Sequence, residues 1–241
     1  MRIAMWSGPR NVSTALMRSF DSRGDSIVCD EPLYAHYLRE TGLPHPVAAE
    51  IIAAHDADWA SVANWLTGPL PEGKSVFYQK HMAHHLLPNI GREWLEQLTH
   101  CFLIREPGQM LTSLIKVIPE PRLEDTGLPQ QVALFREEAE RAGTTPPVID
   151  SEDLLRDPAG MLRLLCSRLG LEFEDSMLAW EPGQRETDGV WAPSWYGNAL
   201  DSTGFAPFTR KDAPVPPEFA ELHAACDELY AELHALRLTV N

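Results

Sequence analysis

The stretch RIAMWSGPRNVSTALMRSF, residues 2–20, narrows most sharply what this chain can fold into. A short apolar run from Ile3 to Trp6 meets a turn at Ser7, Gly8 and Pro9, after which Val12, Leu16, Met17 and Phe20 recur at helical spacing. The pattern predicts strand, loop, helix. In such a unit the loop N–H groups and the helix N-terminus converge, and their unpaired donors and dipole favour a bound anion such as phosphate. Ser13 and Thr14 add hydroxyls, and Arg10 adds a fixed positive charge. The consensus GxxxxGK[ST] is not met, because Arg10 rather than a lysine stands in the loop. Taken alone, the segment also fits a plain strand-to-helix turn capped by Asn11 or Ser13.

Four more apolar runs, 25–29, 75–79, 98–104 and 147–150, alternate with helical patterns and predict an α/β protein with a mainly parallel sheet. Pro32 forces an extended residue before it, so Glu31 stands at the carboxyl end of the second strand. That edge is where parallel sheets bind ligands, although a carboxylate there also suits the next helix's dipole. Arg105 ends the central strand LTHCFLI, Pro107 opens the following helix, and Ser113 lies two turns along it. After the third strand comes Lys80-His81-Met82-Ala83-His84-His85. His81 and His85 at i, i+4 admit a metal, a solvated helix start, or an acid–base role for one imidazole. No glutamate completes HExxH and no cysteine is adjacent, so no metal is expected.

Residues 47–54 and 59–66 read as short covering helices, and 128–142 as a charged amphipathic one. Ser151, Glu152 and Asp153 cap a brief helix after the fifth strand, and Asp157-Pro158 opens a longer one ended by Gly170. From 173 to 217 there is little periodicity, but Trp180, Trp191, Trp195, Tyr196, Phe205 and Phe208 argue for an ordered loop or lid. The final helix, 218–236, offers its apolar side either to the core or to a homodimer.

At 241 residues the chain suits a single large domain over 1–241. No run reaches the roughly 18 to 20 apolar residues of a membrane span, and no basic region, apolar h-region and cleavage site begin the chain. The expected location is the cytoplasm, which the four scattered cysteines suit as reduced thiols. A net charge of −15 argues against nucleic acid or an anionic membrane as partner. An anionic small molecule would need a local cluster of arginines and helix N-termini.

SGPRNVST, the Arg105 and Ser113 pair eight positions apart, and PPVIDSEDLLRDPAGMLRLLCSRLGLEF together resemble the sulfotransferases that use 3′-phosphoadenosine 5′-phosphosulfate (PAPS). The resemblance covers residues 2 to about 211 and implies a three-layer α/β/α sandwich like that of P-loop nucleoside triphosphate hydrolases. By that likeness Arg10, Asn11, Val12, Ser13 and Thr14 hold the 5′-phosphosulfate, while Arg105 and Ser113 hold the 3′-phosphate. Ser202, Thr203, Gly204, Arg210 and Lys211 stand where a basic loop closes over the nucleotide. The implied reaction is metal-free transfer of a sulfuryl group to a hydroxyl or amine of a small acceptor, with His81 the first candidate base and Glu31 the second. Tyr34, Tyr37, Trp59, Trp65 and later tryptophans are the expected acceptor wall. A nucleotide kinase or phosphatase, and a catalytically silent nucleotide- or partner-binding protein, are the alternatives.

Overall fold

The computed structural model describes residues 1–210 and 213–240. In chain order the elements are β1 (Arg2–Ser7), α1 (Ser13–Asp21), β2 (Ser26–Asp30), α2 (Tyr34–Thr41), α3 (Ala48–Ala54), α4 (Trp59–Thr67), β3 (Val76–Met82) and β4 (Thr99–Ile104). There follow α5 (Pro107–Leu114), α6 (Leu128–Ala142), β5 (Val148–Asp150), α7 (Ser151–Arg156), α8 (Pro158–Leu169), α9 (Ala192–Trp195), α10 (Gly197–Leu200) and α11 (Ala220–His234), with short 3₁₀ turns between. The five strands pair in parallel in the order β2-β3-β1-β4-β5.

A parallel sheet covered on both faces needs apolar residues at successive positions, which is why the strands read as continuous runs. Alternation then divides each run between two layers. Ile3 and Met5 pack with Leu16, Met17 and Phe20 of α1 and Met161, Leu162 and Leu165 of α8. Ala4 and Trp6 face the other way, against Val62 and Leu66 of α4 and Val132 and Phe135 of α6. The result is the expected three-layer α/β/α sandwich.

Two departures from expectation bear on the site and its surroundings, beyond shifts of one or two residues at other element ends. β3 does not stop at Gln79 but runs on to Met82, because Lys80 and His81 keep pairing with Met5 and Trp6 of β1. Asp150 rather than Ser151 caps α7, accepting from the Glu152 N–H at 2.7 Å, while the Ser151 hydroxyl donates to the Ile104 carbonyl at 2.7 Å. Cys226 and Leu233 of α11 are buried in the core layers.

Because β1 is flanked by β3 and β4, its carboxyl end opens where successive connections leave in opposite directions, the usual crevice of such sheets. Gly8 sits at that exit. A Cβ there would collide with the Thr126 carbonyl, so the close approach of the two loops requires glycine.

The segment before α9 is held down by charge. Arg18 of α1 and Asp188 form a salt bridge of 2.6 Å with both side chains buried, and Asp188 also accepts from the Arg185 N–H at 2.8 Å. Removing one member of such a pair leaves an uncompensated buried charge, typically costing 3–5 kcal/mol. Asp188→Asn is expected to lower unfolding free energy by about 3 kcal/mol, the low end of that range, since asparagine keeps an oxygen for Arg18. Urea titration checks this: the midpoint should fall with an unchanged slope, and an unchanged midpoint would refute it.

Candidate active site

The loop after β1 is built to leave donors free. Arg10 adopts a left-handed backbone, φ +62°, a conformation that costs non-glycine residues roughly 1–3 kcal/mol and concentrates at functional sites. Asn11 ties the loop to β4 by donating to the Leu103 carbonyl at 3.0 Å. α1 then begins at Ser13, with Val12 in the cap position offering no side-chain cap, and the hydroxyls of Ser13 and Thr14 make no hydrogen bond among the described residues. The Ser13 N–H turns back to the Asn11 carbonyl, but the neighbouring N–H groups of Val12 and Thr14, two hydroxyls and the positive end of the dipole face the same space.

Two arginines gather there. Arg10 Nε donates to Ser113 Oγ at 3.0 Å and its Nη1 to the Trp195 carbonyl at 3.2 Å, while Arg105 Nη1 donates to the Arg10 carbonyl. Burial pushes both guanidinium pKa values down from the ordinary value, and Arg10 also lowers that of Arg105. Neither is within ion-pair distance of a carboxylate among the described residues. Glu106, the nearest acid in sequence, is occupied as the cap of α5, accepting from the N–H groups of Gly108 and Gln109 at 3.1 and 2.7 Å. Arg10, Arg105 and Ser113 are thus brought together, with neither guanidinium facing a carboxylate among the described residues; of the three, Arg10 lines the adjoining cavity.

The loop lines a cavity of about 460 Å³. Glu31, Tyr34, Tyr37, His45, His84, His85, Asp125 and Trp195 line it too. Glu31 follows β2 in a left-handed conformation, φ +42°. Its Oε1 accepts from Lys80 Nζ at 2.7 Å and from the Tyr196 hydroxyl at 3.3 Å; its Oε2 makes no hydrogen bond among the described residues. Burial, and next to it the charge of Asp30, raise the Glu31 pKa, with Lys80 pulling the other way. A carboxylate so placed is a stronger base than an exposed one.

His81 is corrected as a candidate base. The longer β3 puts it on the same sheet face as Phe77 and Gln79, stacked on Trp6 at 4.3 Å, with its Nε2 against Gln79 Oε1 at 3.2 Å. It is 1% exposed, does not line the cavity, and burial lowers its pKa to about 3. His84 and His85 do line the cavity, but burial drives His84 to about 3 and His85 well below the usual range, so both are neutral and weakly basic. They form part of an aromatic wall instead: His85 stacks on Tyr34 at 4.5 Å and His84 meets Tyr37 edge-on at 5.3 Å.

Trp59 and Trp65 are likewise not cavity residues. Trp59 packs on the core cluster, and Trp65 is 55% exposed with its ring against Phe77. Gly204 lines the cavity beside the Ala179 bridge. Arg210 is exposed, and Lys211 lies outside the described residues.

The sequence reading missed Asp30, Lys80, Trp191 and Tyr196, which surround Glu31. For Lys80 a signal existed: strand alternation puts it on the face opposite His81, and register sets it beside Asp30.

An uncapped helix N-terminus and two arginines without a carboxylate partner at the switch point of a parallel sheet define a P-loop-like α/β protein with a pocket whose chemistry suits an anion. The chain matches the family model of the sulfotransferase domain over residues 1–234, and it belongs to that family. In Arabidopsis thaliana, branched-chain-amino-acid aminotransferase-like protein 2 is 36% identical over 230 residues, 95% of this chain and 40% of that protein. Branched-chain-amino-acid aminotransferase-like protein 1 is 39% identical over 207 residues, 85% of this chain and 36% of that protein. The chain thus spans roughly two fifths of the curated relatives it matches. The sulfotransferase domain from the olefin synthase of Synechococcus PCC 7002 shares the fold, with a TM-score of 0.56 at 18% identity over 92% of this chain and 93% of that one. No helix among the described residues is long and apolar enough to cross a membrane.

Proposed function

We propose that this chain is a PAPS-dependent sulfotransferase whose acceptor is a hydroxyl or amine of a small molecule. The observation that carries this is the pairing, in one cavity, of an arginine loop without a carboxylate partner and a glutamate that keeps one oxygen free. The unpaired guanidiniums of Arg10 and Arg105 fit a donor with two anionic groups better than a singly phosphorylated nucleotide.

When bound, the donor supplies an activated sulfuryl group attached to its 5′-phosphate. Arg10, the N–H groups of Asn11, Val12 and Thr14, and the hydroxyls of Ser13 and Thr14 hold that end. Arg105 and Ser113 hold the 3′-phosphate, with Gly204 and Arg210 covering the nucleotide. Glu31 Oε2 takes the proton of the attacking hydroxyl as its oxygen bonds to sulfur, and Arg10 meets the charge left on the departing phosphate oxygen. The rings of Tyr34, Tyr37 and Trp195 give the acceptor an apolar, aromatic-tolerant wall. A small acceptor rather than nucleic acid or a membrane suits the charge of −15.

A thermal-shift comparison tests donor recognition. At about 100 times its Kd, 3′-phosphoadenosine 5′-phosphate is expected to stabilise by about 2.7 kcal/mol, which raises Tm by roughly 5–10 °C for a chain of this size. AMP should shift it much less and ATP with magnesium little. Equal shifts from AMP and the bisphosphate would overturn the role of Arg105 and Ser113, and a larger shift from ATP with magnesium would favour a kinase.

A further inference from the structure

Glu31 belongs to a buried charge cluster that does not balance. Lys80 on β3 donates to Asp30 Oδ1 at 2.7 Å, to Glu31 Oε1 at 2.7 Å and to the Tyr196 hydroxyl oxygen at 2.6 Å, so all three ammonium protons are used. One cation thus faces two carboxylates. The remaining titratable neighbours carry no charge: burial raises the Tyr34 and Tyr78 phenols and the Cys29 thiol, and lowers the His55 and His85 imidazoles. One of the two acids must therefore bind a proton more readily than an ordinary carboxylate.

Which one does so is decided by a residue between α9 and α10. The Tyr196 hydroxyl accepts from Trp191 Nε1 at 2.9 Å and from Lys80, and its single proton is directed to Asp30 Oδ2 at 2.6 Å, against 3.3 Å to Glu31. Asp30 then has a donor on each oxygen and no outlet to the cavity, whereas Glu31 has one oxygen bonded and one free. Neither Trp191 nor Tyr196 is near Glu31 in sequence; both come from the segment also fastened by the Arg18–Asp188 bridge.

We infer that Tyr196 is a positioning residue for Glu31: together with Lys80 it keeps the negative charge on Asp30, so that a proton entering the cluster settles on the cavity-facing carboxylate, and the base is complete only while the Trp191–Tyr196 segment is seated on the sheet edge. This rests on the reading of Glu31 as the base. It also gives that segment a role apart from covering ligand, because its removal would leave two buried acids competing for one lysine.

The test reads the Glu31 titration directly, by carboxyl-¹³C NMR of the full chain with the resonance assigned through Glu31→Gln. In Tyr196→Phe Asp30 loses the donor that favours its ionised form and competes for the proton, so the Glu31 midpoint should fall, by up to roughly one pH unit. In Asp30→Asn Lys80 faces a single carboxylate, and the midpoint should also fall; with Asp30 gone, adding Tyr196→Phe should lower it no further. Trp191→Phe, which keeps Tyr196 but removes the N–H that polarises its hydroxyl, should lower it by a smaller amount and serves in place of Tyr196→Phe if that variant does not fold. A tyrosine that acted only through its own 3.3 Å contact to Glu31 would instead raise the midpoint on removal. An unmoved or raised Glu31 midpoint in Tyr196→Phe overturns the inference. The midpoints do not depend on turnover: a lowered midpoint without any sulfuryl transfer would sink the functional reading and leave Tyr196 as assigned, whereas transfer with an unmoved Glu31 would do the reverse.

Discussion

Glu31→Gln is expected to lower kcat by about 10²–10⁴, the usual contribution of a positioned general base. Glutamine keeps the shape and the contact to Lys80 but cannot accept a proton, and it leaves Lys80 matched one-to-one with Asp30. Affinity for 3′-phosphoadenosine 5′-phosphate should therefore stay within about twofold, well under 1 kcal/mol. The pH profile supplies a second measurement. Turnover requires Glu31 unprotonated, so the rate falls as pH drops through its pKa, and burial raises that pKa above the ordinary carboxylate value. The acid limb should lie at a higher pH than an exposed glutamate would give, and it should vanish in the glutamine variant. His84 and His85 are poor substitutes because their imidazoles hold a proton only in strong acid. Activity within tenfold of wild type, with the acid limb retained, would place the base elsewhere.

The contrast between Glu31 and His81 also marks how far the sequence could be read. Strands ending in Asp30-Glu31-Pro32 and Arg105-Glu106-Pro107 announce their own carboxyl ends, since proline stops the ladder, and both charged residues fall at the crevice as expected. The run SVFYQ carries no such stop before Lys80-His81, so the sequence leaves its end open. An end at Gln79 would free His81 to turn toward a ligand; the continuation to Met82 fixes His81 by parity on the Trp6 side of the sheet. A charged residue inside a strand is uncommon enough to discourage the longer reading. Only the pairing with Asp30, Glu31 and Tyr196, contacts separated by 50, 49 and 116 residues, makes Lys80 tolerable there. Asp188 and Tyr196 were hidden for the same reason. Their partners lie 170 and 166 residues away, and no local period announces a contact of that kind.

Arg10→Ala should separate nucleotide binding from transfer. Arg10 is fixed by Ser113 and the Trp195 carbonyl at the mouth of the α1 N-terminus, while the loop N–H groups and Arg105 survive its loss. Those survivors still hold a ground-state anion. The charge that develops on the departing phosphate oxygen is met by fewer preorganised donors, and removal of one such donor typically costs about 10²–10³ in kcat. The affinity for 3′-phosphoadenosine 5′-phosphate should fall by a smaller factor, about tenfold, the equivalent of about 1.4 kcal/mol. Arg10→Lys retains charge but has neither the planar fork that reaches Ser113 and Trp195 together nor a guanidinium's easy burial, so it should recover binding more fully than turnover. Single-turnover rates set beside calorimetric affinities distinguish the two quantities. Were Arg10→Ala to lose affinity by the larger factor and turnover at saturation by the smaller, Arg10 would be a ground-state clamp, and the stabilisation of the leaving phosphate would have to come from the α1 N-terminus and Arg105.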